Sequence, residues 1–327
     1  MTVTPSSDAQ FLAAAAGSAP APEQVRDDVW SVPSPMLDRP LPYSFLSVLR
    51  DSRGDIHLID AGFETDDNMV ALADFLATIG SSLSAVRTVT VTHNHPDHQG
   101  LALRVRAATG ALVQMHAADA SPIASSAVLP AAELDGWGVP VERRQEMADL
   151  GIPGTDRRVT AVDRLIQDGD RLDIPGFDVI AMHTPGHTPG HLCLRDDARA
   201  LLFTGDHLLP TMHPGLGLGG PSRANPIADY LRGLDRVAVF ADHEVLPGHG
   251  YRFRGLAQRA DQTRQHHLAR SRQVSAILAT QDDPTIWQIA EQLSWSAGWA
   301  NLQGFYAFSA LAQTAMHRDY LSHAGRD

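Results

Sequence analysis

The stretch that decides the fold is Thr92-His93-Asn94-His95-Pro96-Asp97-His98-Gln99-Gly100. It closes Val86 to Thr92, a Val- and Thr-rich run that reads as a short buried strand, and it opens a helix expected over Gln99 to Ala108. A turn leaving a strand end projects its side chains into the crevice at the edge of a sheet, where ligands of α/β proteins bind. Four potential metal ligands, His93, His95, Asp97 and His98, fall within six residues, held by a proline and followed by a glycine. Imidazole and carboxylate suit Zn²⁺ and related divalent ions, with Zn–N distances of about 2.0–2.1 Å.

Working outward, three more tight turns offer one ligand each. They are Thr184-Pro185-Gly186-His187-Thr188-Pro189-Gly190-His191, then Phe203-Thr204-Gly205-Asp206-His207, then Leu246-Pro247-Gly248-His249-Gly250. One such turn alone would read as a surface histidine, but four in this order form a pattern. Over roughly residues 40–255 that pattern resembles the metallo-β-lactamase-fold hydrolase superfamily, whose signature is His-x-His-x-Asp-His, a later His, an Asp and a final His.

The resemblance implies an α/β fold, an αββα four-layer sandwich. It further implies that His93, His95 and His187 hold a first metal, that Asp97, His98 and His249 hold a second, and that Asp206 bridges the two. Asp60, in Ile59-Asp60-Ala61-Gly62, is expected to orient the ligands. The expected cofactor is two Zn²⁺ per chain, with Fe or Mn as the alternative ions. Asp97 and Asp206 are the expected catalytic carboxylates. Two cations lower the pKa of a shared water towards about 7, so the expected reaction is hydrolysis by a bridging hydroxide.

Further segments complete the layout. Tyr43 to Arg50 and Asp55 to Asp60 read as a hairpin around Asp51-Ser52-Arg53-Gly54, and Asp66 to Ile79 reads as an amphipathic helix. Residues 29–255 are expected to form the catalytic domain, with an irregular lid-like insert at 117–158. Strands are expected at Val159 to Ile166, Phe177 to His183, His191 to Arg195, Ala200 to Thr204 and His243 to Leu246, and a helix at Pro226 to Phe240. Residues 256–327 read as an all-helical domain resembling the winged-helix-like C-terminal region of lactamase-B2-like proteins. The Ala-, Pro- and Ser-rich residues 1–28 read as a disordered tail rather than a secretory signal. His57 is expected to face outwards on its strand, while His183, His191, His207 and His213 lie near enough to the ligands to support them or to touch substrate.

Composition restricts the function. The 327 residues carry 26 basic against 38 acidic side chains for a net charge of −12, and every basic one is Arg. A broad nucleic-acid face is disfavoured, although Arg252 to Arg272 holds six Arg against one Asp. The one cysteine, Cys193, excludes an intrachain disulfide and does not stand at Asp206, where class B β-lactamases often place one. The 42 residues between Asp206 and His249 are too few for a large nuclease cap. Glyoxalase II resembles the ligand pattern well, but its glutathione contacts include lysines. No stretch approaches the roughly 20 apolar residues of a membrane span, so a cytoplasmic protein is expected, with a small-molecule substrate and room for a homodimer. The leading expectation is hydrolysis of a thioester, ester or lactone of a small or CoA-like molecule. A pocket is expected between the insert and the glycine-rich loop Pro210 to Arg223, with Arg223 receiving an anionic group. A metal-dependent endoribonuclease and a mononuclear iron persulfide dioxygenase are the alternatives.

Overall fold

Strands alternate inward and outward side chains, and that alternation builds two sheets. The computed structural model describes residues 3–36, 41–120, 131–148, 162–218 and 224–323. Its strands are β1 (Thr4–Pro5), β2 (Glu23–Arg26), β3 (Val29–Pro35), β4 (Tyr43–Arg50), β5 (Ile56–Ile59), β6 (Val86–Thr90), β7 (Leu112–His116), β8 (Arg164–Ile166), β9 (Val179–His183), β10 (Leu192–Asp196), β11 (Leu201–Gly205), β12 (Glu244–Pro247) and β13 (Phe253–Arg254). One sheet has the order β2-β3-β4-β5-β6-β7-β8, the other β1-β13-β12-β11-β10-β9. The helices are α1 (Asp8–Ala15), α2 (Asp66–Thr78), α3 (Pro96–Gln99), α4 (Ala102–Thr109), α5 (Ala117–Ala120), α6 (Ala131–Gly136), α7 (Val141–Ala148), α8 (Pro226–Ala238), α9 (Leu256–Leu278), α10 (Ile286–Gln292) and α11 (Gly304–His323).

Period 2 sets the layers. In β11, Leu201 and Phe203 join Leu49 and Ile59 in the core between the sheets, while Leu202 turns outwards towards Tyr230 and Leu234 of α8. In β4, Leu46 and Val48 face Leu72 and Leu76 of α2, and Leu49 faces inwards. Asn225 caps α8 by accepting from Ile227 N and Ala228 N, with Pro226 at its first position, and Ile227, Tyr230, Leu231, Leu234 and Val237 then recur on its buried face. The result is the αββα sandwich, with a helical region, α9 to α11, after it.

Residues 1–28 correct the sequence reading. From residue 3 onwards they are folded, and they add an edge strand to each sheet. Gln10 of α1 is fully buried, donating to Ser31 Oγ at 3.3 Å and accepting from Arg252 N at 2.9 Å. Ser7 caps α1 and donates to Glu23, which in turn pairs with Arg252 at 2.6 Å. Polar partners more than 200 residues away, not local apolar pattern, order this segment.

The described part of the insert also belongs elsewhere in space. Leu134, Val139 and Met147 pack with Ile286, Trp287 and Leu311 of α10 and α11, and Trp287 N donates to Trp137 O at 2.9 Å. Residues 121–130, 149–161 and 219–223, including Arg223 and the start of the Val159 to Ile166 run, lie outside the described residues.

His57 likewise differs from expectation: it is buried, with Nδ1 on Thr88 Oγ1 at 2.8 Å and Nε2 3.4 Å from Asp51. Two further histidines, His267 and His317, are buried between α9 and α11. Burial, reinforced by His266, His317 and His213, pushes His267 down to about 2, and burial with Arg270 pushes His317 down to about 3. Between pH 6.5 and these values the unfolded chain binds protons that the native chain does not. The contribution of these two rings is therefore complete above about pH 6.5 and falls below it by about 1.4 kcal/mol per pH unit for each ring. His267→Phe is expected to reduce that slope by about one ring's share. Urea unfolding at about pH 6, 5 and 4.5 checks this, and identical slopes in the two proteins would refute it.

Candidate metal centre

The site forms where several strand ends meet. Pro96 occupies the first position of α3 and holds His95 extended, at φ −84° and ψ 148°. The single turn that follows swings Asp97 and His98 back beside His93. Asp206 leaves the irregular end of β11, where the register with β12 shifts, and His249 leaves the end of β12. Gly248 lets that backbone pass close, because a Cβ there would lie 2.5 Å from Asp206 Oδ1 and 2.6 Å from His98 Cε1.

These turns gather all seven expected ligand side chains into two clusters, His93, His95, His187 and Asp206, and Asp97, His98 and His249. In the first, His95 Nδ1 lies 3.0 Å from both His93 Nε2 and His187 Nε2, and Asp206 Oδ2 lies 3.6 Å from His187 Nε2. In the second, His249 Nε2 lies 3.1 Å from Asp97 Oδ2 and 3.4 Å from His98 Nε2. Asp206 Oδ1 faces this second cluster, 3.4 Å from His98 Nε2 and 3.5 Å from His249 Nε2. Ligands in a tetrahedron around zinc stand about 3.3 Å apart, so both clusters have the spacing of a coordination shell.

The opposite ring nitrogens fix the tautomers. His98 Nδ1 donates to Asp60 at 2.8 Å, His249 Nδ1 to Tyr43 O at 2.8 Å and His187 Nδ1 to Gly215 O at 2.6 Å. His95 Nε2 donates to Leu218 O at 3.3 Å. The hydroxyl of Thr92 gives its hydrogen to Asp60 and so accepts from His93 Nδ1 at 3.0 Å. With a cation in place, each ring can thus turn a lone pair towards its cluster, as ligating imidazoles do. Asp206 Oδ1 is buried and, among the described residues, makes no hydrogen bond, its nearest polar neighbours being the ring nitrogens of His98 and His249, a cost that a cation would remove.

Electrostatics divides the two clusters. Burial, with the neighbouring imidazoles, holds His93 far below its ordinary pKa, and burial brings His95 down to about 3. At His98 and His249 burial acts in the same direction but is outweighed by Asp206 and Asp97, joined at His98 by Asp60. His98 is raised well above its usual range and His249 to about 10. The second cluster is a pocket of negative potential that attracts cations.

Comparison with known proteins agrees with this geometry. The family model described as the metallo-beta-lactamase superfamily matches residues 42–249. The chain belongs to that superfamily. A probable metallo-hydrolase, YqjP, from Bacillus subtilis is 25% identical over 82% of this chain and 85% of its own. A hydroxyacylglutathione hydrolase from Fuscovulum blasticum is 24% identical over 68% of this chain and 72% of its own. Among solved structures, a metallo-beta-lactamase family protein from Thermus thermophilus superposes with TM-score 0.72 at 28% identity, covering 92% of this chain and 95% of that one. A beta-lactamase domain protein from Burkholderia ambifaria gives 0.76 at 24%, covering 99% and 94%. Members of the superfamily are generally hydrolases, and the metallo-β-lactamase fold implies a divalent-metal centre at these clusters.

Other residues find different roles. Asp60, in the left-handed region at φ 60°, accepts from Thr92 N at 2.7 Å, Thr92 Oγ1 and His98 Nδ1. His191 accepts the Asp206 N–H at 3.2 Å, His183 stacks on His116, His207 is buried against Tyr230, and His213 stacks on His266. None of these four histidines contributes to the two clusters. Sequence reasoning missed Asp119, a buried carboxylate that accepts from Asn94 N, Thr188 Oγ1 and Gly190 N and so ties the first ligand turn to the second. Its position three residues past the end of β7 was the available signal. Because the Asp206 oxygens face different clusters, Asp206→Asn is expected to weaken ion binding at both by at least about tenfold. Competition against a chelator checks this, and loss at one cluster alone would contradict a shared carboxylate.

Proposed function

We propose that the chain is a dinuclear zinc hydrolase that opens a thioester, ester or lactone bond of a small or CoA-like molecule. The carrying observation is the seven-donor arrangement, with Asp206 facing both clusters. In this reading His93, His95 and His187 hold the first ion, Asp97, His98 and His249 the second, and Asp206 both. Two bound Zn²⁺ would supply Lewis acidity and a water acidic enough to be deprotonated near neutral pH.

The chain's own groups provide the rest. His95 and Asp97 are the two ligands that are not fully buried, so substrate approaches from their side. Asp97, held ionised by His98 and His249 against the effect of burial, would accept a hydrogen bond from the attacking water and so orient it. Asp206 keeps the two halves of the site in fixed relation, and the buried rings behind them exclude bulk water. The likeness to a hydroxyacylglutathione hydrolase supports a thioester, while the absence of lysine argues against glutathione itself as the recognised group.

The endoribonuclease reading loses its main support. Of the Arg252 to Arg272 series, Arg252 pairs with Glu23 and Glu244, Arg259 bonds backbone carbonyls, Arg264 pairs with Asp235 and Arg270 lies over Trp295. These guanidiniums are occupied rather than arrayed for phosphate. The mononuclear iron reading leaves the second cluster without a purpose.

Hydrolysis of acyl-CoA thioesters, simple esters and lactones, assayed with zinc and with chelator beside single-stranded RNA, tests the proposal. The expected result is chelator-sensitive turnover of at least one small substrate class; RNA cleavage with none would overturn it. His95→Ala is expected to keep the native circular-dichroism spectrum and to abolish turnover. Wild-type-like turnover in that variant would remove His95 from the ligand set.

A further inference from the structure

Beyond Asp206, the described residues of the loop between β11 and α8 supply no ligand, yet their backbone decides how two ligand rings sit. Gly215 O accepts from His187 Nδ1 at 2.6 Å and Leu218 O accepts from His95 Nε2 at 3.3 Å. The loop is tied to the His187 turn in return, through Gly217 N to Gly186 O at 2.8 Å and Leu218 N to His187 O at 2.9 Å. Two of the three imidazoles of the first cluster therefore inherit whatever position this loop takes.

The C-terminal helices hold the loop from the other side. Arg259 of α9 is buried, and its fork donates through Nε to Leu209 O at 2.7 Å and through a terminal nitrogen to Met212 O at 2.6 Å. The next residue, His213, stacks on His266 of α9 with ring centroids 3.9 Å apart and planes within 10°. Met316 of α11 lies against Gly217, whose φ of +70° favours glycine and where a Cβ would come within 2.8 Å of the Met316 sulfur. Asn225, while capping α8, also donates to Met316 O at 2.9 Å and to Asp319 at 2.8 Å.

We infer that α9 and α11 form part of the ligand-positioning apparatus of the first cluster, with Arg259 as the positioning residue. Arg259 fixes two carbonyls three residues apart, the loop carries that constraint to Gly215 and Leu218, and those carbonyls fix the tautomer and orientation of His187 and His95. A planar guanidinium suits this task because it presents two divergent N–H donors in a rigid frame, which an ammonium does not. The rings of the second cluster find their acceptors outside this loop, His98 on Asp60 and His249 on Tyr43 O, so only the shared Asp206 links them to it. The inference rests on the ligand assignment proposed above, and it predicts an asymmetry that the assignment alone does not.

Co²⁺ affinity, measured by chelator competition and by the d–d absorption of the bound ion, tests it in two backgrounds. His249→Ala leaves the first cluster intact, and His95→Ala leaves the second. Adding Arg259→Met is expected to weaken binding about ten- to hundredfold and to alter the absorption band in the His249→Ala background, with no change in the His95→Ala background. Arg252→Met, an equally buried arginine whose partners are Glu23 and Glu244, is the control and should alter neither. Equal loss at both clusters, loss at neither, or the same loss from Arg252→Met would overturn the inference. Should Arg259→Met fail to fold, Met316→Ala reads the same contact from α11 and is expected to give a smaller loss confined to the first cluster. Full retention there would overturn the inference equally. A wild-type chain that binds fewer than two Co²⁺ would instead remove the ligand assignment and this inference with it.

Discussion

Five imidazoles can crowd together in a buried site only if each keeps its proton on the side away from the others. That constraint organises the structure around the ligand turns. Asp60, Thr92, Tyr43 O, Gly215 O and Leu218 O each take up one ring N–H, and each lies on a different turn or strand from most of the others. The sandwich is the device that brings these acceptors to one end, because parallel neighbours β5 and β6, and β11 and β12, deliver their following turns on the same side. Asp60 bears the largest share, with three hydrogen bonds accepted from a backbone conformation that non-glycine residues rarely adopt.

The two clusters then differ in charge more than in geometry. The first has three imidazoles and shares one carboxylate, and its rings are neutral at ordinary pH, so an ion entering there displaces no proton from them. The second has Asp97, the other oxygen of Asp206 and Asp60 behind His98, and in the absence of a cation that negative potential draws protons onto His98 and His249. An ion at the second cluster would have to compete with protons for His98 and His249, whereas the first cluster offers neutral rings.

Legibility in the sequence followed the range of the interactions involved. Thr92 to Gly100 and the three later turns were readable because each packs its chemistry within a few residues of a strand end. The strands β4, β10 and β11 and the helix α8 were readable because apolar period and capping are local signals. The N-terminal segment was not, since Gln10 is held by Ser31 and Arg252, and Glu23 by Ser7 and Arg252, and nothing near them in sequence marks those pairings. Asp119 escaped notice for the same reason: a lone carboxylate after β7 acquires meaning only when Asn94, Thr188 and Gly190 arrive beside it. The Arg252 to Arg272 run misled in the opposite sense, because counting charges does not reveal that Arg252 and Arg259 are buried against the sandwich.

The helices that follow the sandwich are best understood together with the insert. Trp137, Leu134 and Met147 close over Trp287 and Leu311, Arg143 donates to Leu302 O at 3.0 Å, and the turn at Gly138 sits against Thr285, the capping residue of α10. One apolar body thus forms from two segments far apart in sequence, and α11 carries it to the loop that supports His95 and His187. The ligand turns tolerate little change, since the outward ring N–H of each of the five ligand imidazoles is already committed. Among the described residues, the insert and the last helices meet these turns at two places: Asp119, which accepts from Asn94, Thr188 and Gly190, and the contacts of α9 and α11 with that loop. The apolar body they form therefore acts on the strand-end turns through those contacts, while its own packing rests on Trp137, Trp287 and Leu311.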